Sequence, residues 1–229
     1  MSDSDSEDSF IPAILSQQGG CTVHLVAPGT IYKIGQRVRS AETAALRFAN
    51  FVVRDGKCVG SILMDEVEDS CAVNTAMIKQ LREIPKPPEF QHLYQRSADG
   101  SPSHDVLLQD LVDPARPLTD EVSLRTRINE RYLFFNGASY RENLLDFLPH
   151  SNKTVFTHGD IAPRNIMVND SASITGAIDR EISGWHPDYW EFANIQKPSA
   201  DWDWMKWMDH TKPEAWDITG IEKTRRLLF

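Results

Sequence analysis

Cysteine is scarce in this 229-residue chain, which contains only Cys21, Cys58 and Cys71. The odd number and the absence of a CxxC spacing argue against a disulfide framework and against a structural zinc site, so we expect three reduced thiols. No run of about 18 apolar residues is present, so the sequence predicts no membrane-spanning helix. Residues 1–9 are acidic and polar, unlike a secretory signal, and predict a disordered tail on a cytoplasmic protein.

Basic residues are fewer than acidic ones. Lys and Arg number 24 against 33 Asp and Glu, which gives a formal net charge of −9. An acidic surface repels phosphate backbones, so nucleic acid is not an expected partner. The hydrophobic share of 41% and the charged share of 25% are typical of a globular protein. The length predicts one domain or two small lobes.

The first third of the chain has the pattern of a small sheet with one helix. Apolar and polar residues roughly alternate over residues 22–34, and Pro28-Gly29 interrupts them, which predicts two strands joined by a turn. Ser40 is placed to cap a helix at residues 41–50. The apolar runs on either side of Arg54-Asp55-Gly56-Lys57 predict a hairpin that ends at Val67.

The rest of the chain is mainly helical in pattern, with short strands in its middle. We therefore predict an α+β fold, with a sheet-bearing part at residues 10–67 and a larger helical part at residues 68–229. In this larger part, the pattern predicts helices at residues 74–83, 119–135 and 140–148, a proline-rich irregular connection at 85–118, short strands from 153 to 179, and a helical, tryptophan-rich end from Asp188.

The segment THGDIAPRNIMVND…SITGAID carries the residues with the clearest chemistry. Asp160 follows an apolar strand, Asn165 lies five positions later, and Asp179 ends a second apolar strand. Phosphoryl transfer needs a carboxylate to receive the acceptor's proton, and oxygen ligands for Mg²⁺. These residues supply that set, with Asp160 as the base and Asn165 and Asp179 as the metal ligands.

Simpler interpretations exist for several of these residues. Asp160 alone could be a turn-former, and His158 could be a structural histidine. A zinc hydrolase lacks support because no HExxH spacing occurs. The six tryptophans between residues 185 and 216 could form a cage for a cationic ligand, but core packing is favoured. Asp201 and Asp203 fit either a cationic acceptor or a solvated face.

The order H-x-D-x-x-x-x-N followed by a metal-binding Asp resembles the protein-kinase arrangement. Gly159 stands where protein kinases have Arg, as in the aminoglycoside phosphotransferase and choline-kinase group. The runs FTHGDIAPRNIMV, ITGAID and GWHPDYWEFAN resemble the fungal branch of the aminoglycoside phosphotransferase family. The resemblance is strong over residues 153–204 and weaker over 22–68.

This resemblance implies a two-lobed, protein-kinase-like fold with a nucleotide between the lobes. It implies that Lys33 contacts the nucleotide phosphates, that Glu42 pairs with Lys33, and that Asp65, Glu66 and Val67 form the hinge beside the adenine. The implied reaction moves the γ-phosphate of ATP, or GTP, to a hydroxyl of a small molecule with the help of Mg²⁺. The expected partners are thus a nucleotide and a small-molecule acceptor, which the sequence does not identify.

Three departures from the family pattern motivate an alternative. Arg180 replaces the tryptophan of the family's DWE segment, where it adds a positive charge beside the predicted metal ligands. The helix predicted at 41–50 runs into the next strand without the usual proline-containing loop, and the helical region after the hinge is short. The alternative is a catalytically impaired pseudokinase that acts as a nucleotide-binding or interaction module.

Overall fold

The structure is a computed structural model that describes residues 13–18, 21–27, 30–35, 67–168, 174–197 and 202–228. Its first sheet has three antiparallel strands in sequence order: β1 (Ala13–Gln18), β2 (Cys21–Ala27) and β3 (Thr30–Gly35). The β2–β3 pair confirms the predicted strands on either side of Pro28-Gly29, whereas β1 was not predicted. In the β2–β3 register, Val23 lies opposite Lys33.

Helix α1 spans Val67–Arg82, seven residues longer at its start than the helix predicted at 74–83. The prediction that the hairpin strand continues to Val67 is therefore wrong at this residue, which is the first of the helix. Apolar Met77, Ile78 and Leu81 are buried on one face of α1. The predicted tail at 1–9, the helix at 41–50 and the remainder of the hairpin lie outside the described residues.

An irregular connection follows α1, as the six prolines between residues 85 and 117 predict. It holds only a 3₁₀ turn at Pro88–Phe90 and the two-residue strand β4 (Arg96–Ser97). Helix α2 (Glu121–Phe134) begins with a reciprocal cap in which the Ser123 N–H donates to Asp120 Oδ1 at 2.7 Å and the Asp120 N–H donates to Ser123 Oγ at 3.2 Å. This helix confirms the one predicted at 119–135.

The helix predicted at residues 140–148 is not formed. The segment consists of turns and a single 3₁₀ turn at Leu144–Phe147. Asn143 has a φ of −136° and Leu148 is extended. Leu148 precedes Pro149, whose ring disfavours the helical conformation in the residue before it, which accounts for the end of the segment. Asn143 interrupts the segment earlier, so the apolar pattern does not form a continuous helix.

Two small antiparallel sheets form the middle of the structure. One has the order β4–β8–β5, with β5 at Thr154–Thr157 and β8 at Gly184–Pro187, and the other is the hairpin of β6 (Ile166–Val168) and β7 (Ile174–Ala177). Gly184 is required at the β4–β8 contact, because a Cβ there would lie 2.2 Å from the Arg96 carbonyl oxygen. Strand β8 was not predicted.

The chain ends in helices α3 (Trp190–Ile195), α4 (Trp202–Met208) and α5 (Thr219–Leu228), which confirm the helical end predicted from Asp188. Trp185, Trp190 and Trp204 are buried, as core packing predicts, but Trp202 is 73% exposed, so the core interpretation is wrong for that residue. Within the described ranges, no helix combines the length and apolar character needed to cross a bilayer.

Two apolar clusters support these elements. The first joins α2, α3, α5 and the 144–148 segment. The second joins α1 and α4 to strands β5, β6, β7 and β8, with Phe156 and Trp185 fully buried and in edge-to-face contact. Strands β5, β6 and β7 are therefore held in a rigid core, and the loops at their ends carry the predicted site residues.

Candidate functional site

The loop that follows β5 is fixed by buried hydrogen bonds. His158 and Gly159 donate their backbone N–H groups to the carboxylate of Glu191 on α3, at 2.5 and 3.0 Å. Ser183 Oγ donates to the His158 carbonyl oxygen at 2.8 Å. Gly159 has a φ of +84°, a conformation that glycine adopts without strain. This turn brings Asp160 out of the core at a defined position.

Asp160 is surrounded by positive and amide donors. Arg164 Nη2 donates to its Oδ2 at 2.5 Å, Asn165 Nδ2 donates to the same oxygen at 2.8 Å, and Lys197 Nζ lies 3.5 Å from Oδ1. Burial raises the pKa of Asp160, but the charges of Lys197 and Arg164 outweigh this effect and leave the pKa below its ordinary value. Asp160 is therefore ionised at neutral pH and able to accept a hydroxyl proton.

Asn165 closes the 3₁₀ turn Pro163–Asn165 and is almost fully buried. Its Nδ2 donates both to the Asp160 carboxylate and to the Asp160 carbonyl oxygen, at 2.8 Å each. Because the amide nitrogen faces Asp160, the amide oxygen faces the other way and remains an acceptor. The Asn165 carbonyl oxygen accepts the N–H of Ile178 at 2.8 Å, which joins this turn to the end of β7.

Asp179 lies two residues beyond the end of β7, with a left-handed φ of 63°. Aspartate tolerates this conformation better than most residues. Lys33 Nζ on β3 donates to Asp179 Oδ1 at 2.8 Å, across 146 positions of sequence. The two side chains are 18% and 34% exposed. The structure therefore brings two of the predicted site residues, from distant parts of the chain, into direct contact.

Glu191 is a structural part of the site that the sequence analysis did not single out. It lies within α3, where every residue is buried. Burial raises the pKa of Glu191 to about 7, although its hydrogen bonds with His158 and Gly159 act in the opposite direction. A carboxylate within the apolar run YWEFANI was the available signal, since a buried charge normally has a specific partner.

Comparison with known proteins supports the chemistry that this geometry suggests. The model of the phosphotransferase enzyme family (APH) matches residues 72–218, which is well over half of the chain. The chain belongs to this family. No curated protein matches the sequence.

Solved structures of phosphotransferases are similar to this one at low sequence identity. The apoenzyme of the macrolide 2′-phosphotransferase MphH from Brachybacterium faecium is 12% identical, with a TM-score of 0.51 over 94% of this chain and 82% of that one. Aminoglycoside 2′-phosphotransferase-IIIa, in its GDP complex, is 18% identical with a TM-score of 0.45 over 94% and 81% of the two chains. The first of these similarities shows a kinase-like phosphotransferase fold of the α+β class.

The residues that the family resemblance assigned to nucleotide binding are only partly described. Glu42, Asp65 and Glu66 lie outside the described residues, so their roles stay predictions. Val67 is described as the first residue of α1 rather than as part of an extended hinge. The first N–H groups of a helix have no partner within it, so the predicted backbone contact to adenine remains compatible with this position.

Arg180, the departure from the family's DWE segment, has a buried side chain. Its Nε and Nη2 donate to the Ala177 carbonyl oxygen at 3.3 and 3.2 Å, so the guanidinium turns back on the end of β7. Burial, with the added charge of Arg180, lowers the pKa of His158 to about 3. His158 is therefore neutral and fully buried, which fits a structural histidine rather than a proton carrier.

The donor atoms of Asn165 and Asp179 fit a hard divalent cation. An amide oxygen directed away from Asp160 and a partly exposed carboxylate are ligand types that Mg²⁺ accepts. Among the described residues, no group of three or more His, Cys, Asp or Glu side chains is arranged to hold a metal ion.

Proposed function

We propose that this protein transfers the γ-phosphate of ATP to a hydroxyl group of a small molecule. The family membership supports a nucleotide-dependent phosphotransferase in general terms. Two contacts at the site carry the specific proposal. Asn165 donates a hydrogen bond to the carboxylate of Asp160, and Lys33 donates one to the carboxylate of Asp179.

The reaction assigns one task to each of these side chains. The acceptor's oxygen forms a bond to the γ-phosphorus as the bond between that phosphorus and the bridging oxygen of ADP breaks, and the hydroxyl proton passes to Asp160. Asn165 orients Asp160 through two hydrogen bonds. Lys33 would contact the nucleotide phosphates through its ammonium. Positioning and electrostatic stabilisation supply most of the rate in this chemistry.

Asn165 and Asp179 would hold Mg²⁺. When bound, the ion neutralises charge on the phosphate oxygens as the phosphoryl group moves. The left-handed backbone of Asp179 and its position two residues after β7 support this role.

The proposal includes a two-lobed arrangement, with one lobe at residues 10–67, the other at 68–229 and the nucleotide between them. The Lys33–Asp179 ion pair supports this division, because it links the first sheet to the loop after β7. Glu42 would orient Lys33, and Asp65, Glu66 and Val67 would contact the adenine. We expect the protein to act in the cytoplasm.

The first test measures ADP formation from ATP and Mg²⁺ over a panel of aminoglycosides, macrolides, sugar alcohols and hydroxy acids. Asp160→Asn keeps the shape of the side chain but cannot take the proton, so we expect turnover to fall by about 10²- to 10⁴-fold. Equal rates in the wild type and the variant would contradict the proposal.

The pseudokinase alternative predicts binding without turnover. Ligand binding to the folded state raises apparent stability by RT ln(1 + [L]/Kd), so a thermal shift with ATP and Mg²⁺ measures binding independently of activity. A shift without ADP formation on any acceptor would favour the alternative. The burial of Arg180 against Ala177 gives it a structural role at the end of β7 in either case.

A further inference from the structure

Two positively charged side chains lie against the carboxylate of Asp160. Arg164 contacts Oδ2 and Lys197 lies near Oδ1, so two cations share one carboxylate. The next carboxylate, that of Glu191, already accepts the backbone N–H groups of His158 and Gly159. Asp179 is paired with Lys33. Among the described residues, the direct contacts of Asp160 therefore place two cations against one carboxylate.

Lys197 is held only loosely in this arrangement. Its ammonium has three donors, and its contacts with Asp160 Oδ1 and with the Gly159 carbonyl oxygen are both 3.5 Å long. Charge-assisted N–H···O bonds usually measure about 2.7–2.9 Å, so both contacts are at the weak limit. The ammonium lies between two acceptors without a close bond to either, which is the geometry of a donor available to another oxyanion.

Arg164 also has hydrogen-bond donors beyond the one that contacts Asp160. Its guanidinium has five N–H donors, and Nη2 makes the contact with Asp160. The side chain is 55% exposed. Ion pairs at exposed positions are weak, because solvent screens them and because the long side chain loses rotamer freedom. An incoming anion can therefore draw Arg164 away from Asp160 with little loss of stability.

These contacts also cover the proposed base. Oδ2 accepts bonds from Arg164 and Asn165, and Oδ1 faces Lys197, so an acceptor hydroxyl has to compete for these oxygens. An oxyanion that attracts the two cations would uncover the carboxylate. Because the hydroxyl that gives its proton to Asp160 also attacks the phosphorus, phosphoryl oxygens must come within a few ångströms of this place.

We propose that Lys197 and Arg164 form an anion subsite beside Asp160, and that occupation of this subsite by an oxyanion releases Asp160 for proton transfer. The inference rests on the proposed function for its role in the reaction. The oxyanion comes either from the terminal phosphate of the nucleotide or from an anionic group on the acceptor, and the two sources give different binding results.

The test compares wild type with Lys197→Gln and Arg164→Gln by isothermal titration calorimetry in the presence of Mg²⁺. The probes are ADP, a non-hydrolysable ATP analogue, and inorganic phosphate added to the ADP-saturated protein. Losing one charge-assisted contact weakens binding by about tenfold or more. If the terminal phosphate occupies the subsite, we expect the variants to lose that factor for the analogue while their affinity for ADP changes less than about twofold.

If an acceptor anion occupies the subsite, both nucleotides bind the variants normally and inorganic phosphate binding is lost. Lys197→Arg, which keeps the charge, should retain most of the wild-type affinity in either case. Lys153→Gln and Arg141→Gln remove the same charges at exposed positions away from the site residues and are the matched controls. Melting temperatures establish that each variant is folded.

The outcomes separate this inference from the proposed function. If wild type binds nucleotide, but Lys197→Gln and Arg164→Gln bind all three probes as the controls do, the anion subsite is refuted and the kinase proposal stands. If wild type binds no nucleotide, the proposed function fails, and a titration with inorganic phosphate alone then tests the subsite. Phosphate binding by wild type that both variants lose supports the subsite. Phosphate binding that the variants keep, or no phosphate binding by wild type, refutes the subsite.

Discussion

The buried carboxylate of Glu191 gives a quantitative prediction for Glu191→Gln. Burial raises its pKa from the ordinary 4.5 to about 7, so the folded state holds the proton more tightly than the unfolded state does. One pKa unit corresponds to about 1.4 kcal/mol, so ionised Glu191 destabilises the folded chain by about 3 kcal/mol relative to its protonated form. The sign is definite: stability is highest below the unfolded-state pKa and falls as the pH rises through the folded-state pKa.

The assay is urea unfolding of wild type and Glu191→Gln at intervals from pH 5 to pH 8. The glutamine cannot ionise, so the free energy of unfolding of wild type minus that of the variant should fall by about 2–3 kcal/mol across this range. Glu142→Gln, at an exposed position, removes the same charge and controls for general effects. A difference between wild type and Glu191→Gln that is independent of pH would refute the account of Glu191 as a desolvated carboxylate.

Three further variants test the site and the elements that hold it. Asp179→Asn should reduce Mg²⁺-dependent turnover by at least about 100-fold. It should lower the free energy of unfolding by less than about 1 kcal/mol, because the ion pair with Lys33 is partly exposed. Kinetics and urea unfolding measure the two effects, and a large loss of stability with retained turnover would contradict the assignment. Gly184→Ala should lower the free energy of unfolding by about 1–3 kcal/mol, because its Cβ meets the Arg96 carbonyl oxygen, and a neutral effect in urea unfolding would show that β4 can move. Asp120→Ala should cost about 1 kcal/mol by removing the cap of α2, and an unchanged unfolding midpoint would contradict that reading.

Local sequence patterns predicted much of the fold. The Pro28-Gly29 turn between alternating runs predicted β2 and β3, and the amphipathic periodicity after residue 119 predicted α2. The pattern failed where neighbouring residues overrode it. Residues 140–148 do not form a helix, because Asn143 is not helical and Leu148 is extended before Pro149. The buried strand β8 has no polar alternation and ends in Pro187, so its sequence lacks the usual pattern of a strand.

The site residues also differ in whether the local sequence could reveal them. Asp160 and Asn165 are five residues apart and were recognised together because the loop between them is local. Glu191 contacts Gly159 across 32 positions of sequence, and Lys197 contacts Asp160 across 37. Glu191 lies on α3, and Lys197 lies just after the end of this helix. Such contacts depend on how α3 packs in the core, which no local pattern specifies. Local sequence could therefore nominate Asp160 as a base and Asn165 and Asp179 as metal ligands, roles that stay proposals, but it could not reveal the residues that contact Asp160 from elsewhere in the chain.

The two proposed functional carboxylates share one property: each is paired with a cation that the proposed reaction would use to contact phosphate. Lys33 is bonded to Asp179, and Arg164 and Lys197 lie against Asp160. A triphosphate would bring several negative oxygens into this region, so each cation could exchange a carboxylate partner for a phosphate partner. That exchange would free Asp179 for Mg²⁺ and Asp160 for the hydroxyl proton in the same event. The electrostatic cost of preparing the site is then offset by substrate binding, which makes the readiness of the base depend on the presence of the donor.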